Sequence, residues 1–482
     1  MLSVNCRRGV GAAALFMLSV GIGLGMTACG NSNNGSSSSH TTGAATDATG
    51  SSLIAVDCKR QRAYVPLPDL NNNLHGQVAE LDLSVNPDKK NPLIKILDIG
   101  EIALPRSATV DIETGTVLVL LDNVMDTGVL LLINEANDSL ATVPFPFGSR
   151  PSENSGAVIN SSNGTALVSM SNVDGVCPTG FGGCTGQAVF DLTARTFGPL
   201  LLTLVDLDSF ALVPSTEISL ASSDPVTPGL FALDVPGNNA CGLVDANLQS
   251  LNADPDGIAA DPTTNIWVAG NFISPLASVI NLNGAAFGAD EPLDCFLNEG
   301  GTPPNSANFD TGAAALGMPG VAINPVTHQA FMTAQGGNQI ALLSLPKKPV
   351  TQLSASMLSS VSSTIPNGPD GLPFEPANFP YGTNVDSCHN LGYVINTDLT
   401  FLAQIALANF KNNAAAIGTA LPAGTCAGVT TPFKCDNGKG VKFFQLLAPS
   451  TASTADLPGQ FSSTAFKARK LAKQRGNTSS VK

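Results

Sequence analysis

Few residues of this 482-residue chain stand in an arrangement that catalysis requires. The His-Glu-x-x-His zinc motif, the Gly-x-Ser-x-Gly nucleophile motif, the P-loop and the EF-hand loop are all absent from the sequence. The histidines, at positions 40, 75, 328 and 389, are isolated from one another, whereas zinc ligands usually follow short, regular spacings. The sequence therefore predicts no catalytic residue and no metal site built on histidine.

Cysteines are the most informative reactive residues. Besides Cys6 and Cys29 near the N-terminus, the chain has cysteines at positions 58, 177, 184, 241, 295, 388, 426 and 435. An even set of this kind in an exported protein indicates up to four disulfides. No Cys-x-x-Cys pair occurs, so thiol-redox, iron–sulfur and zinc-ribbon sites lack their usual spacing.

The N-terminus has the order of an export signal. Arg7 and Arg8 precede an uncharged stretch over 9–25 that is too short and glycine-rich for a comfortable membrane span. Met-Thr-Ala-Cys at 26–29 resembles the lipobox of bacterial lipoproteins, which implies removal of the signal peptide 1–28 and acylation of Cys29 with a fatty acid such as palmitate. Residues 29–52 are rich in Ser, Gly and Asn and predict a flexible tether. The alternative is an ordinary secretory peptide cut nearby, with Cys29 incidental.

The body of the chain repeats one phrase. Small or aliphatic residues, a turn bearing Asp or Asn, and an aliphatic or aromatic run recur in seven copies, which begin at residues 54, 108, 156, 210, 257, 320 and 384. An alternating apolar element such as 78–83 follows each copy, and several have a further run such as 441–447. The copies are about 45–65 residues apart, close to the length of a four-stranded propeller blade with insertions.

The repeat predicts an all-β domain over 53–448, a β-propeller of seven four-stranded antiparallel blades. Innermost strands crowd around one axis and favour Gly, Ala, Ser and Val, whereas strands between neighbouring blades need apolar residues on both faces. Asp or Asn in the first turn bonds nearby backbone amides and tolerates left-handed geometry. An array of β-sandwiches is the alternative, although it would not need seven copies of one phrase.

The pattern resembles the YVTN/NHL class of β-propeller repeats. The residues that carry the resemblance are the second strands around Tyr64-Val65, Trp267-Val268 and Tyr393-Val394, and the aspartates Asp82, Asp191 and Asp234 that close third strands. It covers about 53–448 and implies the architecture, but such rings serve many functions. Quinone-dependent propeller dehydrogenases carry tryptophans in every blade, and this chain has one, Trp267.

The repeat also suggests how the cysteines pair. Cys177–Cys184 and Cys426–Cys435 are each close in sequence within a predicted loop, and Cys241–Cys295 would join consecutive blades. Cys58 and Cys388 occupy matching turns of the first and seventh repeats. Because the last repeat finishes with its own outer strand at 441–447, no strand is left to exchange, and we expect a Cys58–Cys388 disulfide to close the ring.

One phrase leaves an enzymatic alternative open. Asp254-Pro-Asp256-Gly257, followed by Trp267-Val-Ala, is similar to the phrase around a metal-binding aspartate in the gluconolactonase family of propellers. The similarity implies a metal-dependent lactonase or related hydrolase, with Asp256 as a weak metal candidate. That family has six blades and adds a Glu and an Asn at the axis, and Asn367 alone occurs in a comparable phrase. The simpler interpretation is a turn at the start of a blade. We expect no cofactor, with a structural divalent cation as the alternative.

The net charge of the chain limits the classes of partner that it can bind. Residues 29–466 carry 15 basic and 37 acidic side chains, a net charge of −22 that repels nucleic acid. Residues 449–482 predict a basic, disordered tail. The longest insertions, at 172–187, 236–256, 284–318 and 346–381, are candidate binding loops.

Together these features predict a monomeric lipoprotein on the extracytoplasmic side of a bacterial membrane, more readily the outer than the inner. We expect its propeller to bind an envelope protein, peptide or glycan. An enzyme and a purely structural surface component remain the alternatives.

Overall fold

Each copy of the repeated phrase folds into one four-stranded antiparallel sheet, and seven such sheets form a β-propeller in this computed structural model. The structure describes residues 50, 52–69, 75–85, 90–102, 104–122, 128–151, 156–171, 185–203, 207–223, 229–235, 239–242, 255–287, 301–302, 304–313, 317–334, 337–369, 371–377, 382–397, 399–408 and 441–446. Every sheet pairs four consecutive strands in chain order, so the predicted seven-bladed, all-β fold is confirmed.

The strands of blades 1 to 4 are β1 Ala55–Asp57, β2 Arg62–Asp69, β3 His75–Asp82, β4 Leu93–Ile102, β5 Leu104–Asp111, β6 Thr116–Asp122, β7 Val129–Asn134, β8 Leu140–Pro144, β9 Ala157–Asn160, β10 Thr165–Ser171, β11 Thr185–Asp191, β12 Thr196–Thr203, β13 Leu207–Val213, β14 Ile218–Ser223, β15 Gly229–Asp234 and β16 Asn239–Gly242.

Blades 5 to 7 contain β17 Pro255–Asp261, β18 Ile266–Asn271, β19 Leu276–Asn281, β20 Asn305–Asp310, β21 Gly320–Asn324, β22 Gln329–Thr333, β23 Gln339–Ser344, β24 Ser359–Thr364, β25 Thr383–Asp386, β26 Leu391–Ile395, β27 Phe401–Ala406 and β28 Val441–Gln445. Two short 3₁₀ turns, Pro146–Gly148 and Ala355–Met357, complete the regular structure of the described residues. None of these residues forms a helix with the length and hydropathy of a bilayer-spanning segment.

Strand direction gives the ring two distinct faces. Because all pairs are antiparallel, the first and third strands of every blade run one way and the second and fourth run back. We call the face that carries the turns between first and second strands, and between third and fourth strands, the lower face. The upper face carries the connections between second and third strands and those between consecutive blades.

The hydrophobic core lies between the blades. Seven clusters of buried apolar side chains occur, one at each junction of neighbouring sheets. A four-stranded sheet cannot bury both of its faces alone, whereas a closed ring covers both faces of every sheet. This arrangement accounts for the strands in which consecutive residues are apolar, such as Val117–Leu121, whose side chains are all buried.

Close packing around the axis requires small residues in the first strands, as predicted. At Gly257 in β17 an added Cβ atom would lie 2.0 Å from the carbonyl oxygen of Pro319, just before the first strand of the next blade. Bulk is placed farther out, where Trp267 of β18 is fully buried between blades 4 and 5. Its indole N–H donates to Oδ1 of Asn265 at 2.9 Å, which satisfies the polar atom.

The first turn of each blade follows one design. In six blades the first strand ends in Asp or Asn, and the side-chain oxygen accepts hydrogen bonds from turn amides, as Asp111 does from Glu113 at 2.9 Å. The left-handed residue comes four positions later, with positive φ at residues 61, 115, 164, 217, 265, 328 and 390. The side chain of Asp or Asn accepts hydrogen bonds from turn amides, as predicted. The left-handed backbone conformation, in contrast, is adopted by the residue four positions later and not by the Asp or Asn itself. Blade 4 has Val213 in place of the acid or amide.

Candidate functional site

The joint between the first and last blades is a covalent one. Cys58 and Cys388 form a disulfide between the first turns of blades 1 and 7, with their Cα atoms 5.7 Å apart and 330 residues between them in sequence. Beside it, the side-chain amide of Asn384 donates to the carbonyl oxygen of Ile54 at 2.5 Å. Blades 1 and 7 each complete their own sheet, so no strand is exchanged at this joint.

Two histidines also join blades on the lower face. Nδ1 of His328 lies 2.7 Å from Oδ2 of Asp261 in the preceding blade, and Nδ1 of His389 lies 2.8 Å from Oδ2 of Asp386. Both histidines lie in first turns, yet their side chains are only 17% and 29% exposed. They act as bonded parts of the ring.

Protonation of His389 is coupled to that joint. The hydrogen bond that the His389 ring donates to the Asp386 carboxylate raises the pKa of His389 above its ordinary value, although burial acts in the opposite direction. Its Nε2 lies 2.9 Å from Nε2 of Gln61 in blade 1. A neutral imidazole accepts a hydrogen bond from that amide group, whereas the imidazolium requires the carboxamide to present its oxygen.

Asp256, the weak metal candidate, lies in a strand, whereas the simpler sequence interpretation placed it in a turn at the start of a blade. It lies within β17, with its side chain fully buried, and its carbonyl oxygen accepts a hydrogen bond from Ser222 at 2.5 Å. In the part of the chain that the structure describes, the single cluster of three potential metal ligands is Cys58, Asp386 and Cys388. Both of its sulfurs are in the disulfide, so they are unavailable as thiolate ligands. Asn367 lies elsewhere, exposed in a turn after β24, where its amide donates to Gly371.

A buried carboxyl group lies between blades 1 and 2 on the lower face. The Glu135 side chain is 3% exposed, and Arg60 approaches it at 3.4 Å while also pairing with Asp57 at 2.5 Å. Burial, followed by the charge of Asp57, raises the pKa of Glu135 to about 8, although Arg60 opposes the shift. Glu135 follows β7 in an ordinary-looking turn, and no sequence signal marked it.

The upper face carries a pocket between blades 6 and 7. Its volume is about 220 Å³, and it is lined by Gly368, Leu372, Pro373, Phe374, Glu375, Asn396 and Phe401. The first five belong to the predicted insertion 346–381, and the other two flank the connection from β26 to β27. Sequence length alone therefore pointed to this loop, without indicating which residues would line a pocket.

The pocket is lined by polar and apolar surface in nearly equal parts, with one acidic group. Oδ1 of Asn396 accepts hydrogen bonds from the amides of Thr400 and Phe401, and its Nδ2 donates to the Thr400 hydroxyl at 2.9 Å. The Asn396 side chain is thus committed to holding the loop. Phe374 is buried beneath, whereas Leu372 and Glu375 are exposed. Such a lining suits an apolar side chain that neighbours a positive charge.

The two most exposed large apolar side chains lie on the same face as the pocket. Among the described residues, the large apolar side chains exposed to solvent are Ile94, Leu140, Ile273, Val326, Met357 and Leu372. The two that are more than half exposed, Ile273 at 58% and Leu372 at 59%, both lie on upper-face connections. None of these six described side chains is aromatic.

Several predicted residues lie outside the described part of the chain. These are the lipid-attachment candidate Cys29, the cysteines Cys177, Cys184, Cys295, Cys426 and Cys435, and the tail 449–482. Cys241 lies in β16, but its side chain and its predicted partner fall outside the description. These pairings and the lipid remain predictions.

Comparison with known proteins adds no family. No family model matches the chain, and no curated protein sequence matches it. A hypothetical selenium-binding protein from Sulfolobus tokodaii is similar in structure, with TM-score 0.49 and 9% identity over 84% of this chain and 92% of that one. The hydrazine synthase of Kuenenia stuttgartiensis has TM-score 0.45 and 11% identity over 75% of this chain and 96% of its own. Similarity at this level does not bear on function.

Proposed function

We propose that this protein is a lipid-anchored, extracytoplasmic interaction module that holds an envelope protein or peptide on its upper face. The observation that carries the proposal is the pocket between blades 6 and 7, with exposed Leu372 and Glu375 at its rim. An apolar side chain left 59% exposed beside a preformed pocket loses contact with water only when a partner covers it. The body charge of −22 favours a partner with basic residues.

The membrane part of the proposal rests on the sequence around Cys29. The lipobox-like Met-Thr-Ala-Cys phrase follows an export signal and precedes a polar tract, the arrangement in which a cysteine is acylated. A protein with Cys29→Ser should appear in the soluble fraction after membranes are pelleted, whereas wild type stays with them in high salt. Wild type that washes off with salt would contradict the anchor.

The binding surface is tested with a matched pair in blade 6. Leu372→Asp puts a charge on the upper face, and Met357→Asp does the same on the lower face, where the original side chain is 48% exposed. We expect the Leu372 variant to lose a partner that wild type and the Met357 variant both retain, measured by quantitative proteomics of material captured from detergent-solubilised envelopes. Truncation of a central interface residue typically costs more than about 1 kcal/mol, or at least about fivefold in affinity.

Photo-crosslinking in cells identifies the occupant directly. A photoreactive residue at position 372 should give an adduct with a separate polypeptide, and one at position 357 should not. Leu446, the last described residue, donates its amide to the carbonyl oxygen of Thr400 beside the pocket, so residues 447–482 continue from here. An intramolecular adduct to this tail would contradict partner binding at the pocket, and equal adducts from both faces would contradict the choice of face.

A further inference from the structure

Two residues from the predicted tether, Gly50 and Ser52, contact the inner edges of several blades. Gly50 forms an antiparallel bridge with Ala211 of β13. The carbonyl oxygen of Ser52 accepts hydrogen bonds from the amide of Ala108 and the hydroxyl of Ser107 in β5, each at 2.9 Å. The chain then enters β1.

These contacts place the segment on the axis of the ring. In every sheet the first strand is at one edge, and the first strands of neighbouring blades lie against one another around the axis. Gly50 lies against such edges in blades 4 and 5, and Ser52 lies against the edge of blade 2. Blades 2 and 5 are three positions apart in a ring of seven, so a segment that spans them within three residues crosses the centre.

Gly50 fits there because it has no side chain. A Cβ atom added to it would lie 2.4 Å from the carbonyl oxygen of Ile258 and 3.3 Å from Cβ of Ala259, both in β17. The carbonyl belongs to a first strand held by its own sheet, so it cannot retreat cheaply. Any other residue at position 50 would have to leave the axis.

The bridge also gives the direction of travel. Strand β13 runs from the upper face to the lower face, ending at the first turn of blade 4. Gly50 is antiparallel to it, so the chain at Gly50 runs from the lower face toward the upper face. After Ser52 it turns back into β1, which descends like every first strand.

We infer that the protein threads its N-terminal segment up the axis of the ring, so that the tether leaves through the lower face. Gly50 and Ser52 then occupy the central channel of the ring. The nearest β17 residue to Gly50 is Ile258, two positions after Asp256. Given the lipid anchor of the proposed function, the lower face is turned to the membrane and the upper face is presented to the partner.

Hydrogen exchange tests this axial placement on the full-length protein in detergent. Gly50→Ala should accelerate exchange of the Ala108 amide by about tenfold or more, because the acceptor, Ser52, leaves the edge of β5. Gly337→Ala is the matched control, since nothing lies within 4 Å of its added Cβ. Ser107→Ala, which removes one donor to Ser52 without adding volume, should give a smaller acceleration. Unchanged exchange at Ala108 in both variants would overturn the axial placement.

Energy transfer tests the orientation. A donor dye is placed at position 357 or 372 through a non-canonical residue, and the lipidated protein is bound to phosphatidylethanolamine–phosphatidylglycerol vesicles that carry an acceptor lipid. A flexible tether of some 21 residues spans roughly 25 Å, so transfer from position 357 should exceed that from 372. Equal or reversed transfer would overturn the orientation. Failure to bind the vesicles would overturn the anchor and with it the membrane half of the inference, while the exchange result stands apart.

Discussion

The lower and upper faces of the ring use their polar groups in different ways. Side chains of the described lower-face turns form hydrogen bonds or ion pairs between neighbouring blades at six of the seven junctions. The pairs are Lys59–Glu113, Ser161–Asp111, Asn163–Glu217, His328–Asp261, Asn324–Asn390 and Gln61–His389. The upper face carries the two most exposed large apolar side chains of the described residues, Ile273 in blade 5 and Leu372 at the pocket between blades 6 and 7. The contrast shows that the polar groups of the lower-face turns join neighbouring blades, and under the proposed function the partner is held on the opposite face.

The strongest test of this division removes the disulfide. Replacement of Cys58 and Cys388 by Ser should lower the melting temperature by several degrees while the β-rich circular dichroism spectrum persists. In the chain-entropy model a bridge across 330 residues contributes up to about 5–6 kcal/mol, often less in practice. Partner binding at Leu372 should be retained below the new transition.

The matched control replaces Cys177 and Cys184, the predicted local pair, which are seven residues apart in sequence. Their short loop constrains the unfolded chain less, so a smaller shift is expected. A melting temperature unchanged by loss of Cys58 and Cys388 would show that the lower face holds without its covalent link.

Glu135 should make the folded protein less stable at alkaline pH. Its pKa is raised to about 8 from an ordinary 4.5, so the folded state favours the neutral acid. The resulting stabilisation is complete below about pH 4.5 and is lost as the pH rises through 8. One pKa unit corresponds to about 1.4 kcal/mol, so wild type should melt a few degrees lower at pH 9 than at pH 6.

Glu135→Gln removes the titrating group and should flatten that dependence. Glu113→Gln, on the exposed surface of the same face, should leave it as in wild type. Thermal melts across this pH range decide the matter. An equal slope in the Glu135 variant would assign the alkaline loss to another group.

His389 should make the smallest contribution. Because Asp386 raises its pKa, the imidazolium stabilises the folded state fully below about pH 6.5, and this is lost as the pH rises through the higher folded value. His389→Asn should lower the melting temperature at pH 6 by less than about 2 °C, and by less again at pH 9. His40→Asn, in the predicted tether, serves as the control, and an equal loss at both pH values would rule out a role for the charge.

The repeat made the ring predictable because each blade solves the same packing problem. Asp82, Asp191 and Asp234 do close third strands, and the alignment of Cys58 with Cys388 located a contact across 330 residues. In a closed ring, equivalent positions of adjacent blades lie next to each other on one face. Aligning the repeats therefore predicts which residues are close in space.

Contacts that break the repeat could not be found in this way. Glu135 meets Arg60 from another blade, and its burial depends on how two turns fold over each other. Gly50 lies in a tract rich in Gly and Ser that has no periodicity, so its place on the axis left no pattern. Blade 4 ends its first strand in Val213, and the junction with blade 5 instead uses Ser209 and Ser222, which bond the backbone of β17.

The fluorescence of the single tryptophan reports on the side of the ring opposite the disulfide. Trp267 is fully buried between blades 4 and 5, nearly opposite the bridge between Cys58 and Cys388. Its emission therefore reports the solvation of one junction, whereas far-ultraviolet dichroism averages all seven sheets. If the ring comes apart as one cooperative unit, the two signals follow the same curve against denaturant. A ring that opens at the bridge and peels blade by blade would keep a blue-shifted emission after much of the dichroism has gone.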